Sequence, residues 1–172
     1  MVNNENNLIL AYTFLSLVTM KHETQNSRII KATPEKIYQA ITDPDALEYW
    51  QVPGSMTAKV HSYDLREGGG YTMSLFYPDD ELKMTGKTNG KEDRFTVRFV
   101  TLDPPNKIVE AVLFQSADPL FLGEMIIEIN LQPVPQGTNV IFSFKNIPEG
   151  IKPEDNEAGT ISSLEKLARY VE

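Results

Sequence analysis

Residues 153–172, PEDNEAGTISSLEKLARYVE, decide how the rest of the chain folds. Ala158, Ile161, Leu164, Leu167, Ala168 and Val171 recur at three- and four-residue steps, the stripe of an amphipathic helix. Ser162, Ser163, Glu165, Lys166 and Arg169 fall on the opposite side. Pro153 fits the first helical position, and Glu154, Asp155 and Glu157 put negative charge against the positive end of the helix dipole. Almost everything between Met56 and Asn146 carries the pattern of strands. One long helix after a run of strands covers a sheet face. Function then turns on what lies between helix and sheet.

Moving back from that helix, the strands follow one another at turn signals. Thr57 to Leu65 runs to a turn at Arg66-Glu67-Gly68-Gly69-Gly70, and Tyr71 to Tyr77 follows. After Pro78-Asp79-Asp80, residues 82–88 form a polar, irregular stretch ahead of Phe95 to Leu102. Asp103-Pro104-Pro105-Asn106 is a further turn, and Ile108 to Gln115, Gly123 to Leu131 and Asn139 to Lys145 complete the set. This spacing predicts consecutive antiparallel hairpins rather than strand-helix-strand units. Side chains alternate across a strand, so Tyr71, Met73, Leu75 and Tyr77, Phe95, Val97 and Phe99, Met125, Ile127, Ile129 and Leu131, and Val140, Phe142 and Phe144 are expected to face the helix.

Ahead of the sheet, Ser27 to Ala32 reads as a strand and Thr33-Pro34-Glu35-Lys36 opens a helix with Thr33 as its cap. Asp43-Pro44 breaks it and caps a second short helix that ends at Tyr49-Trp50, before Val52-Pro53-Gly54. Leu8 to Met20 is a nearly continuous apolar run of thirteen residues, shorter than the roughly 18 that span a bilayer. No basic residue precedes it, as a secretion signal would require. Residues 1–26 are therefore expected to be an N-terminal extension, poorly ordered or an extra helix, and residues 27–172 a single domain. Residues 1–19 are expected to lie upstream of the native start, because Met20 and the polar residues after it would serve as one.

Composition narrows the function. A net charge of -8 and a pI near 4.8 argue against nucleic acid and anionic membrane as partners. The chain has no cysteine, which removes disulfides, thiolate catalysis and sulfur-ligated zinc and fits a cytoplasmic location. Gly86-Lys87-Thr88 resembles the tail of a phosphate-binding loop, but position 81 is Glu where that loop needs glycine. Gly68-Gly69-Gly70 fits a tight hairpin better than a dinucleotide loop. No metal and no cofactor is expected. Of the two histidines, His61 lies in an alternating strand with no nucleophile elbow to serve. Glu110, Glu124, Glu128, Asp155 and Glu157 are carboxylates available for acid-base work, most of them better explained as solvated faces. Glu124 stands out because it follows Gly123 at a strand start, within reach of Asp155 to Glu157. Trp50, the sole tryptophan, serves either as a wedge between helices and sheet or as a cavity wall.

Three segments together resemble a known family: Ile30 through Pro44 (IKATPEKIYQAITDP) with Tyr49-Trp50, Asp64 through Gly69 (DLREGG), and Val100 through Val109 (VTLDPPNKIV). They look like the activator of heat-shock-protein-90 ATPase homologue group, within the START-like or SRPBCC superfamily that also holds the birch pollen allergen and polyketide cyclases. The resemblance covers about residues 27 to 172. It implies an α+β helix-grip fold, with a curved antiparallel sheet of six to seven strands around the C-terminal helix and two short helices closing one end. It also implies a cavity for a small apolar or amphipathic ligand. Many members carry Gly-Trp at the start of the last helix where this chain has Gly159-Thr160, so the cavity mouth is expected to differ. Asp79 to Asp93 is longer than the usual hairpin and is expected to act as a lid.

The expected function is binding of a small hydrophobic ligand by Trp50, Tyr71, Met73, Phe95, Val97, Met125, Ile127, Phe142 and Ile161, without catalysis, in a monomer or homodimer. Two alternatives stand beside it. One is a cyclase- or hydrolase-type enzyme using a cavity carboxylate, with Glu124, Glu157 and His61 as its candidate groups. The other is a protein-interaction module, including a chaperone partner.

Overall fold

Seven strands hydrogen-bond into one antiparallel sheet, and the computed structural model describes it over residues 22–79 and 86–172. The strands are β1 (Thr24–Ile30), β2 (Thr57–Asp64), β3 (Gly70–Phe76), β4 (Glu92–Asp103), β5 (Lys107–Phe114), β6 (Met125–Val134) and β7 (Gly137–Lys145), in the spatial order β1-β7-β6-β5-β4-β3-β2. Helices α1 (Pro34–Ile41) and α2 (Pro44–Trp50) lie between β1 and β2, and α3 (Pro153–Val171) ends the chain. This is the helix-grip α+β arrangement that the sequence implies. The first strand begins at Thr24, three residues before the expected Ser27. The apolar run Leu8 to Met20, residues 1–19 and the middle of the expected lid at residues 80–85 lie outside the described residues.

Local chemistry accounts for the short helices. Thr33 Oγ1 accepts from the Lys36 amide at 3.4 Å and Asp43 Oδ1 from the Ala46 amide at 2.8 Å, each satisfying a donor that the first helical turn leaves free. Pro34 and Pro44 occupy first-turn positions where a missing N–H costs nothing. The glycine run makes the β2–β3 turn: Gly68 has φ +79, and a Cβ on Gly70 would lie 1.8 Å from the Val97 carbonyl oxygen. Across from it, the register of β2 against β3 shifts between Val60 and Ser62, a bulge at His61.

The core lies between the inner sheet face and the helices. Ile37, Ala46, Met73, Phe99, Ile108, Val140 and Leu167 are entirely buried in it. Helix α3 buries Thr160, Leu164, Leu167, Ala168 and Val171. The expected stripe is right in its C-terminal half and shifted in its N-terminal half. Ile161 is 50% exposed and Ala158 is exposed, while the buried place falls to Thr160. Thr160 lies one turn before Leu164 on the axis of the stripe, whereas Ile161 sits at its margin. Among the described residues no helix is long and apolar enough to cross a membrane.

Candidate functional site

Strand β5 carries the sequence Ile108-Val109-Glu110-Ala111-Val112, and alternation sends Ile108, Glu110 and Val112 to the inner face. All three are buried, and Glu110 is only 2% exposed. Its directly paired neighbours are Phe99 on β4 and Ile127 on β6, both core residues, so a carboxyl sits amid apolar side chains. Glu110 Oε1 lies 3.4 Å from the hydroxyl of Tyr71, and that hydroxyl lies 3.1 Å from Gln51 Oε1 at the C-terminal end of α2. Tyr63 completes the group, donating its hydroxyl to the Thr42 carbonyl at the end of α1.

The rings of Tyr63, Tyr71 and Phe99 are in mutual contact, with centroids 5.8 to 6.2 Å apart. Burial, only partly offset by the Tyr71 hydrogen bond, pushes the Glu110 carboxyl up to about 7. Burial also raises the Tyr71 and Tyr63 phenols, and the charge of Glu110 raises them further. None of the groups acting on Glu110, Tyr71 or Tyr63 is a Lys, Arg or His. Farther out, Asp43 and Tyr38 act on Tyr63, and Asp103 and Glu67 act on Tyr38. The polar centre of the inner face is thus a carboxyl hydrogen-bonded to Tyr71, paired with Phe99 across the ladder, and backed by Tyr63 stacked on Tyr71.

Of the residues expected to form walls, Trp50, Tyr71, Met73, Phe95, Val97, Met125, Ile127 and Phe142 are all at most 6% exposed and belong to one core cluster. Trp50 stands edge-on to Phe142 at 6.1 Å, and its indole N–H donates to the Ala40 carbonyl at 2.9 Å, the geometry of a wedge. Half-exposed Ile161 stands outside that group. Two open depressions mark the surface, about 330 Å³ at the ends of β1, β6 and β7 and about 260 Å³ around the Gly68–Gly70 turn and Arg98; neither is lined by α3.

The candidate catalytic residues lie apart from Glu110. Glu124 is exposed and pairs with Arg98 at 3.1 Å rather than with the start of α3, and Glu157 is exposed. His61, also exposed, places Nε2 2.8 Å from Ser74 Oγ, and Ser74 donates to Glu92. There the serine lies between the base and the acid, so no base-acid pair activates it as in a nucleophilic triad. Among the described residues no group of His, Asp and Glu gathers to hold a metal.

Two further features frame the inner face. Thr160 donates to the Asn156 carbonyl at 2.8 Å, and Asn156 Nδ2 donates to Thr24 Oγ1 at 2.7 Å, tying α3 to β1 through side chains. On the opposite flank, Lys166 Nζ donates to the carbonyls of Val52 at 2.6 Å and Gly54 at 2.7 Å, and Ser162 Oγ accepts from the Gly54 amide at 3.1 Å. The connection from α2 to β2, which starts at Gln51, is thereby strapped to α3. Lys87 belongs to neither: it forms a largely buried ion pair with Asp93 and lies 5.8 Å from the Phe114 ring centre.

Over residues 31–172 the chain matches the family described as Activator of Hsp90 ATPase homolog 1-like protein. It belongs to that family. A solved protein of Chromobacterium violaceum is 31% identical with a TM-score of 0.77, covering 87% of this chain and 96% of its own. An AHSA1-like protein of Aeromonas hydrophila is 20% identical with a TM-score of 0.65, covering 87% of this chain and 91% of its own. A Mycobacterium smegmatis protein is 19% identical with a TM-score of 0.65, covering 87% of both chains. The last two share the fold of the Hsp90-activator-like family with this chain and carry no more than that. Among curated proteins none matches.

Glu110 is the residue that reading the sequence undervalued. Its signal was its phase: it shares a strand face with Ile108 and Val112, so a solvated position there would have required the whole strand to turn over.

Proposed function

We propose that this chain binds a small, mainly apolar ligand on the inner face of its sheet, with the ligand's polar end at Glu110, Tyr71 and Gln51. The observation that carries this reading is Glu110, a carboxyl buried to 2% exposure with one side-chain hydrogen bond at 3.4 Å. Burying a carboxyl with so little compensation costs stability. A polar group so placed in an apolar face is the arrangement that orients ligands in small-molecule sites. The family supports the same reading, since its fold commonly holds apolar ligands. Trp50 and Phe142 already touch, so a ligand enters by parting α2 and its following connection from the sheet.

The test is thermal unfolding of the full chain against fatty alcohols, flavonoids and sterols, paired with native mass spectrometry of protein purified from its own cell. Binding to the native state raises the midpoint in proportion to ligand excess over Kd. A flat response across the panel with no copurified mass overturns the reading.

A second reading draws on the same residue. A carboxyl held at about 7 beside a tyrosine is suited to general acid-base catalysis near neutrality, as a cyclase- or hydrolase-type enzyme requires. In that case Glu110→Gln abolishes turnover of a bound substrate while leaving its binding in place. The interaction-module alternative gains less from the surface, where the half-exposed large apolar residues lie on several elements, Ile29 on β1 and Leu113 on β5 among them, and Tyr49 on α2 meets only Tyr170 on α3 as one ring pair with centroids 5.6 Å apart.

A further inference from the structure

The charge around the inner-face site has a definite sign. Glu110 offers a buried acceptor with no cationic side chain acting on it. Tyr71, hydrogen-bonded to it, and Phe99, paired with it across the ladder, form with Tyr63 a cluster of three rings whose centroids lie 5.8 to 6.2 Å from one another. Aromatic faces attract cations through their quadrupole, and the attraction grows when water is excluded. The charge of Asp43 adds to that of Glu110 at Tyr63.

Resting on the ligand-binding reading above, we propose that the site selects ligands by charge: it takes a small apolar amine, its protonated nitrogen on the Glu110 carboxylate against the rings of Tyr63, Tyr71 and Phe99, and it rejects carboxylates such as fatty acids. The reason for rejection is physical. A ligand carboxylate would share a poorly solvated space with Glu110, and two carboxyls so placed cannot both be ionised without a large penalty. A protonated amine supplies the counter-charge that the fold itself does not.

Three probes of one skeleton separate this idea from its parent: phenethylamine, phenethyl alcohol and phenylacetate, titrated calorimetrically into the full-length protein at pH 8. The amine is expected to bind at least tenfold tighter than the alcohol, with phenylacetate weakest. Glu110→Gln, which keeps the side chain's size and shape, is expected to abolish the amine's advantage over the alcohol. Glu124→Gln removes an exposed carboxylate and is expected to change nothing, which separates the site from attraction to the net negative surface. If phenylacetate binds as tightly as the amine, or if Glu110→Gln leaves the amine-to-alcohol ratio unchanged, charge selection is overturned while ligand binding stands. If none of the three binds at millimolar concentration while the alcohol, flavonoid and sterol panel raises the unfolding midpoint, only the amine proposal falls. If both sets fail, the binding reading falls with it.

Discussion

Tyr71 Oη lies 3.4 Å from Glu110 Oε1, between strands that do not neighbour each other, and the same hydroxyl is 3.1 Å from Gln51. One phenolic proton faces two acceptors. When it goes to Gln51, Glu110 is left to hold its own proton and donate; when Glu110 ionises, the phenolic proton turns to the carboxylate. The protonation state of Glu110 is thereby tied to the connection that follows α2.

Stability is expected to fall as pH rises through the range in which only the unfolded chain ionises Glu110. In the native protein this carboxyl titrates at about 7, above its ordinary 4.5. Between those values the native state holds a proton that the unfolded chain has lost, so raising pH favours unfolding. The loss is on the order of 3 kcal/mol between pH 4.5 and 7, flat above it. Urea denaturation of wild type and Glu110→Gln at pH 5 and pH 8 checks this. The variant should lose that part of the slope and be the more stable protein at pH 8. Tyr71→Phe should cost about 1 to 2 kcal/mol, because it strips Glu110 of its side-chain partner.

Lys166 and Ser162 are expected to govern access to Trp50. The α2–β2 connection is strapped to α3 by the Lys166 ammonium on two carbonyls, and burial lowers the pKa of that ammonium. Lys166→Met keeps the aliphatic stem and removes the strap, at a stability cost of about 1 kcal/mol for a partly exposed group. Acrylamide quenching of Trp50, now 2% exposed, should rise severalfold. Arg169→Met, on the exposed side of the same helix, serves as the control and should leave quenching unchanged.

Asp93 is expected to be among the most sensitive positions away from the site. Its side chain is 1% exposed and holds Lys87, which has 25% exposure. Burial alone would lower the Lys87 pKa, yet the charge and hydrogen bond of Asp93 outweigh it and hold the ammonium above its ordinary value. Asp93→Ala leaves a desolvated ammonium unpaired and should cost about 3 to 5 kcal/mol by chemical denaturation. The double variant Lys87→Met, Asp93→Leu should recover most of that loss, because no unpaired charge remains.

Gly70→Ala should destabilise the protein by more than about 2 kcal/mol, since the new Cβ would have to displace the Val97 carbonyl oxygen from 1.8 Å. Gly68→Ala, with φ +79 but open space around it, should cost about 1 kcal/mol. Thermal unfolding of both variants separates close approach from backbone strain in one turn.

The legible parts of this fold were those fixed by local rules. Thr33 and Asp43 cap their helices as their side-chain chemistry requires, and the phases of β3, β4, β6 and β7 follow from alternation. Less was visible where two distant elements decide together. Ile161 and Thr160 both fit a helix stripe within one residue, and the choice between them is made by how α3 lies on β1 through Asn156 and Thr24. The partners of Glu110 come from β3 and α2, residues 71 and 51, which no local pattern joins to position 110. The bulge at His61 likewise depends on how β2 meets β3.

Helix α3 grips the sheet without a single main-chain hydrogen bond to a strand among the described residues; the Asn156 side chain reaches Thr24 on β1, and Lys166 holds the α2–β2 connection. The ladder is complete without it. Helix and ladder are therefore separable in this molecule: substitutions beneath the helix can change how it packs while every strand keeps its partner. Proteins that share this sheet at a fifth of their residues have the same frame, and nothing in the frame obliges them to share a ligand.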